Sequence, residues 1–307
     1  MAQSSVAARK VGALLAFSRP HTVVATALQV GGLFLLAGGA DNWRPAVLLL
    51  GLGATVAANL YIVGLNQLAD VEIDRINKPD LPLPAGTFTL SQGRAIVIVA
   101  GLIALTLAAT QSIWLLVTVA LSMLIGTAYS LPPFFLKGRA LVAALSIALV
   151  RGIVANIGLF GHFHLMLQPR AGVPWALVGA LAIFFFGFGL VIALYKDIPD
   201  LEGDQAFGVS TFTVRLGPRR VFRAGRWLLT AIYLLPLALA VARLPAVDGL
   251  VLLLTHLLAL AWFWWSSQDV DPTQRTSVTS FYMTLWSLFY IEYLLLGLYE
   301  IAGVFLG

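Results

Sequence analysis

Apolar runs of about twenty residues recur along the whole chain, and nothing else in it limits the fold so tightly. Each is long enough to cross a hydrocarbon core as a helix, and none alternates apolar and polar residues as the strands of a membrane β-barrel do. They read as roughly Thr22–Ala40, Ala46–Leu65, Ala95–Thr110, Ile113–Ser130, Leu141–Phe160, Pro174–Leu194, Trp227–Ala242, Leu250–Trp265 and Phe281–Phe305. The expected fold is therefore all-α: one domain, residues 1–307, built as a transmembrane bundle of nine helices. Only 11% of residues are charged, against about a quarter in a soluble domain, which leaves no solvated domain of any size. The absence of cysteine excludes disulfides and thiolate metal sites.

The basic residues test the count. Arg9, Lys10, Arg19, Arg75, Lys78, Arg94, Lys137, Arg139, Lys196, Arg215, Arg219, Arg220, Arg223, Arg226 and Arg275 all fall on one side of nine spans, and only Arg44, Arg170 and Arg243 on the other. That asymmetry is the positive-inside pattern and puts the N-terminus in the cytoplasm. The charge serves topology, so the net +5 does not point to nucleic acid. Residues 1–20 carry no cleavable signal pattern, and the first span is expected to direct its own insertion.

In a chain this poor in acids, two acidic runs stand out, each at the end of an apolar run on the basic side. The first is Asn66-Gln-Leu-Ala-Asp70-Val-Glu-Ile-Asp74-Arg-Ile-Asn-Lys78-Pro79 and the second is Tyr195-Lys196-Asp197-Ile-Pro-Asp200-Leu-Glu202-Gly-Asp204. Asn66, Asp70 and Asp74 are spaced i, i+4, i+8, which on a helix is one face. Asp197, Asp200 and Asp204 follow i, i+3, i+7, with Pro199 marking a break or a first turn. Stacked like charges need a cation between them. Carboxylate and amide oxygens suit Mg²⁺, which substrate phosphates usually complete. The reading is a divalent-cation site shared by both runs and holding a diphosphate, with Arg75, Lys78, Lys137 and Lys196 as further cationic donors. Solvated helix caps would explain one such run but not two on the same side.

The two runs lie in the long segments 66–94 and 196–226, expected to form loops that cap the site. Thr87-Phe-Thr-Leu-Ser-Gln-Gly93 and Thr211-Phe-Thr-Val-Arg-Leu-Gly217 follow them at similar distances, which points to a parallel internal repeat. Within the spans, Arg151 with Asn156 reads either as a counterion for an anionic substrate group or as an Arg reaching back to the basic side. Gln29 and Asn59 read as glue between helices, and Phe184, Phe185, Phe186 and Phe188 as packing or a tail tunnel. His162, His164 and His256 read as loop or packing residues rather than ligands.

These residues resemble the UbiA superfamily of intramembrane aromatic prenyltransferases over nearly the whole chain. The local wording is similar to the homogentisate prenyltransferase branch: Gly64 to Pro79, Tyr129-Ser-Leu-Pro-Pro133, Arg151-Gly152 with Asn156-x-Gly158, and Lys196 to Asp204. The resemblance implies Mg²⁺-dependent transfer of a prenyl group, with phytyl diphosphate as donor, to homogentisate, whose carboxyl leaves as CO₂. It implies Asn66, Asp70, Asp74, Asp200 and Asp204 as metal ligands with Asp197 in support. Tyr129, Lys78, Lys137 and Lys196 fall near the diphosphate, and Arg151 and Asn156 near the acceptor. Pro84 stands where a small residue is common in that family, which affects the loop path. The resemblance leaves chlorophyllide, hydroxybenzoate or naphthoate acceptors open. A cation-coupled transporter of an anionic lipid is the reading from another class. A bacterial inner or thylakoid-type membrane is expected, since no plastid transit segment is visible.

Overall fold

The computed structural model describes residues 2–241 and 248–302. Among these, nine helices are long and apolar enough to cross a membrane: Pro20–Gly39, Pro45–Ala69, Leu90–Ala109, Ile113–Ser130, Ala140–Leu167, Trp175–Lys196, Pro218–Val241, Gly249–Ser266 and Arg275–Ile301. They are numbered here as spans one to nine. Of the expected span ends, Ala242 and Phe305 lie outside the described residues, as does Arg243.

Local chemistry sets the ends where hydropathy alone misplaced them. Spans one and two begin on Pro20 and Pro45, in the first turn, where a missing N–H costs nothing. A capping box between Thr89 and Gln92 starts span three at Leu90 rather than Ala95. Ser112 accepts from the Leu115 N–H and so separates spans three and four at their near-junction. Span seven begins at Pro218, nine residues before Trp227, because its first two turns carry arginines on an exposed face and so hide from an apolar count. Residues 2–17 form a helix that their polar composition gave no sign of. The capping segments are accordingly shorter than expected. They contain the helices Val71–Asn77, Leu201–Ala206 and Phe212–Leu216.

Neighbouring spans pack in chain order, and span nine closes the ring against span one. Span five also touches span one, and span six touches span nine. In lipid such packing rests on close fit and a few polar contacts rather than on water exclusion. Gly152 shows the fit: a Cβ there would stand 2.2 Å from the Phe186 backbone, so spans five and six meet only because residue 152 lacks one. Asn59 donates to the Thr22 hydroxyl at 2.9 Å, a polar clasp of the expected kind. Phe184, Phe185 and Phe188 are buried core, and Phe185 stacks on Tyr293 with ring centroids 4.0 Å apart. His162 is in span five and bonds Ser112 at 2.8 Å, so it is a packing residue and not a loop residue.

The Thr-Phe-Thr likeness does not carry through to structure. Thr89, the second threonine of its trio, caps span three, whereas Thr211, the first of its trio, caps the helix Phe212–Leu216. Gly93 is inside a helix, while Gly217 ends one at φ 82°. What the two halves share is an acidic run closing a span and a short helix after it.

Candidate active site

Both acidic runs emerge on one side of the bundle and meet there. Span two ends at Ala69, and Asp70 leaves helical geometry at φ −107°, ψ 12°. The turn-by-turn bonding continues across that break: Asp70 N donates to Asn66 O at 2.9 Å, Asp74 N to Asp70 O at 2.7 Å and Lys78 N to Asp74 O at 2.7 Å. The expected one-face stack of Asn66, Asp70 and Asp74 therefore survives as two helices with a bend at its middle residue. In the second run Asp197 caps span six, and Asp200 precedes the helix Leu201–Ala206 after Pro199.

Asn77 joins the runs. Its side chain is buried and accepts from the Gly203 N–H at 2.9 Å. Only glycine allows that approach, since a Cβ at residue 203 would meet the Asn77 amide at 2.5 Å. Lys78 makes the second link, 2.5 Å from Asp200 and 3.7 Å from Asp74. Lys137, buried, pairs with Asp70, and Asn66 donates to the other oxygen of Asp70 at 2.8 Å. Lys196 pairs with Asp197 at 2.5 Å and lies over the Tyr129 ring at 5.9 Å.

Five carboxylates thus share three ammonium groups, and two of the five are left poorly served. Asp74 Oδ2 is buried without a hydrogen-bond partner. Asp204 is buried beside Asp197 and Asp200. Burial, with those two like charges adding to it, pushes the Asp204 carboxyl up to about 7. Burial likewise raises Asp74 and Asp197, against the opposing pull of Lys78 and Lys196. No ready cage of three carboxylate or imidazole groups exists among the described residues. Mg²⁺ does not need one, because it usually takes one or two carboxylates and fills its octahedron with water and phosphate. Hard oxygen donors, an unpartnered buried oxygen and surplus negative charge all fit such an ion.

The structure does not bring Arg75 to this cluster. One residue past Asp74, it points about 100° round the helix, is mostly exposed and pairs with Glu72 at 2.6 Å. It is withdrawn from the diphosphate set.

Arg151 and Asn156 form a separate group, deeper in the bundle. Arg151 is in a π-helical turn, Leu149–Val154, eleven residues or roughly 16 Å into span five. Such turns are rare and are often found at functional sites. The Gln29 and Asn156 amides donate to its freed backbone oxygen at 3.3 and 3.0 Å. Tyr293 donates to Asn156 at 2.9 Å. The guanidinium lies over the Trp286 ring at 4.8 Å rather than reaching back along the helix, and no carboxylate pairs with it among the described residues. An unpaired cation at this depth is costly, so the arrangement favours the counterion reading.

Sequence reasoning passed over three residues here. Asn77 was visible as an amide one turn beyond Asp74. Arg19 and His21 flank Pro20 at the start of span one, and the charge of Arg19 acts on both Asp74 and His21.

Nine candidate membrane-crossing helices among the described residues, with an acid-and-lysine cluster at one end and the Arg151–Trp286 pair deeper in the bundle, suit an intramembrane transferase acting on a diphosphate-bearing substrate. The chain belongs to the UbiA prenyltransferase family, which it matches over residues 23–288. It is 46% identical over 292 residues, 91% of this chain and 92% of the relative, to a homogentisate phytyltransferase of Synechocystis sp.. It is 41% identical to the chloroplastic homogentisate phytyltransferase 1 of Arabidopsis thaliana, spanning 91% of this chain and 73% of that one. The fold matches a UbiA homolog from Archaeoglobus fulgidus bound to GPP and Mg²⁺, with a TM-score of 0.64, 19% identity and coverage of 94% and 99% of the two chains. Family membership sets the transporter reading aside.

Proposed function

We propose that this chain transfers a prenyl group from an isoprenoid diphosphate, phytyl diphosphate in the first place, to homogentisate, whose carboxyl leaves as CO₂. One observation carries the reading: two acidic runs locked together by Asn77–Gly203 and Lys78 stand above Arg151, which lies over the Trp286 ring and pairs with no carboxylate among the described residues. The names of the relatives supply the chemistry that such a pair of subsites would serve.

Asn66, Asp70, Asp74, Asp200 and Asp204, with Asp197, would hold Mg²⁺. The ion would supply Lewis-acid stabilisation of the charge that builds on the departing diphosphate. Lys78, Lys137 and Lys196 change partners when the diphosphate enters, from carboxylate to phosphate oxygens. Tyr129, beneath Lys196, lends a ring face to the allylic cation. Arg151 holds the acceptor's carboxylate, and Trp286 offers its ring a stacking surface. The surrounding bundle excludes water from the cation, so positioning and electrostatics do the chemistry and no protein nucleophile is needed. The mouth opens to the cytoplasmic side, where the basic residues gather.

Membranes carrying the protein, supplied with Mg²⁺, phytyl diphosphate and a panel of aromatic acceptors, test this. Homogentisate is expected to give a prenylated product one carboxyl lighter. Product from hydroxybenzoate or a naphthoate but none from homogentisate would refute the assignment. Arg151→Met is expected to raise KM for the acceptor at least tenfold, an ion-pair loss of about 1.4 kcal/mol or more, while leaving KM for the diphosphate unchanged.

A further inference from the structure

The chain has four histidines, and three of them are spent on structure. His162 bonds Ser112, His164 bonds the Ala171 carbonyl, and His256 bonds the Leu252 carbonyl and pairs with Glu292. His21 differs. Its backbone is fixed, with the Tyr290 hydroxyl donating to its carbonyl at 2.8 Å, and its ring stands edge-on to Trp286 at 5.1 Å. Yet neither ring nitrogen has a hydrogen-bond partner among the described residues. The ring is half-buried.

Its place matters as much as its freedom. Lys78, which joins the two acidic runs, acts on His21 from the end of the helix Val71–Asn77. Arg151 acts on it from span five and Arg19 from the turn into span one. Trp286 and Tyr290 face it from span nine. His21 and Arg151 thus share the Trp286 ring, and His21 is also within reach of the charge of Lys78 at the mouth. It belongs to the space between the diphosphate subsite and the acceptor subsite. The chain is bent to put it there. Arg19 holds φ 51°, ψ 81°, a conformation that non-glycine residues rarely adopt, and Pro20 fixes the next turn.

We infer that His21 is a catalytic base that accepts the proton of the acceptor's ring hydroxyl. The inference rests on the proposed prenyl transfer to a phenolic acceptor. A neutral imidazole with an unpartnered ring nitrogen can take a proton. In the step, the O–H bond breaks and an N–H bond forms on His21. A ring-carbon π pair forms the new C–C bond to the allylic carbon, and the C–O pair leaves with the diphosphate. The negative charge that grows on the ring oxygen meets Arg19, Lys78 and Arg151. When CO₂ is lost, the hydrogen displaced from the ring replaces the carboxyl on the side chain, and His21 returns its proton to the ring oxygen. No net proton is released, and no oxidant or reductant is needed.

The test compares wild type, His21→Gln and His21→Asn by single-turnover kinetics across pH 5–9 with homogentisate, beside solvolysis of the prenyl diphosphate without acceptor. The expected result is a fall of about a hundredfold or more in the rate of prenyl transfer. Solvolysis and KM for the diphosphate should stay unchanged in both variants. A rate within about threefold of wild type overturns the role of His21 alone. If neither variant accumulates folded, the wild-type enzyme decides with an acceptor whose ring hydroxyls are methylated. Loss of turnover supports a base, and undiminished turnover overturns it. Wild type that makes no product from any hydroxylated aromatic acceptor overturns the parent reading and the role of His21 with it.

Discussion

Asp204 offers the sharpest handle on the acidic mouth, because its titration links charge to stability in a way one substitution removes. In the folded protein its carboxyl titrates at about 7, against 3.8 for the free group. Between those values the folded state holds a proton that the unfolded state has released. Stability must therefore fall as pH rises from about 4 to about 7. The gap is about three pH units at about 1.4 kcal/mol each, a ceiling of about 4 kcal/mol and about 2 if the site relaxes. Asp204→Asn cannot ionise. In detergent with EDTA it should match wild type near pH 4 and melt roughly 4–8 °C higher at pH 8. A shallower slope should remain in the variant, since Asp74 and Asp197 are raised as well. Mg²⁺ added at pH 8 should stabilise wild type more than the variant. Melting curves of the two proteins that stay parallel from pH 4 to pH 8 would refute the buried, unserved carboxylate on which the metal argument rests.

Three further outcomes follow from other contacts. Asn77→Ala should cost about 1–3 kcal/mol by leaving the Gly203 N–H buried without an acceptor, and should depress turnover by separating the two acidic runs; a melt and a rate assay check both. Arg75→Ala should leave turnover within about twofold, as expected of an exposed pair worth about 1 kcal/mol or less, and a tenfold loss would return Arg75 to the site. Glu292→Leu should destabilise by about 3–5 kcal/mol, since it strands His256 and the Tyr233 hydroxyl, which now donates to Glu292 at 2.6 Å; an unchanged melt would contradict this.

The helical class, the span count and the convergence-prone residues were legible because each rests on a strong local signal: unbroken apolar length, charge asymmetry, and carboxylates repeating at one turn. Span seven was misjudged at its start because hydropathy is blind to a helix that begins with arginines on its wet face. The Thr-Phe-Thr likeness misled because capping depends on which threonine meets an open N–H, and three letters do not say. Arg75 was misassigned by proximity in sequence, although one residue of helix turns a side chain to another quadrant. Arg151 stayed undecided because its alternatives differ only in where the π turn and Trp286 direct the guanidinium, which is a matter of packing. His21 was invisible for the same reason. Its meaning lies in lacking a partner, and a sequence cannot show an unused nitrogen.

A π turn holds one residue more than the α turn it replaces, and this has a practical reach. Deleting one residue from 149–154 would restore a regular helix and leave everything beyond it in register, because the wider turn already absorbs the extra residue. The Arg151 carbonyl would return to the helix ladder and give up the Gln29 and Asn156 amides, while the acidic mouth, carried by other helices, would keep its place. A protein engineer seeking different acceptor preferences could therefore reset the surroundings of Arg151 by a single deletion and leave the donor-handling end as it is.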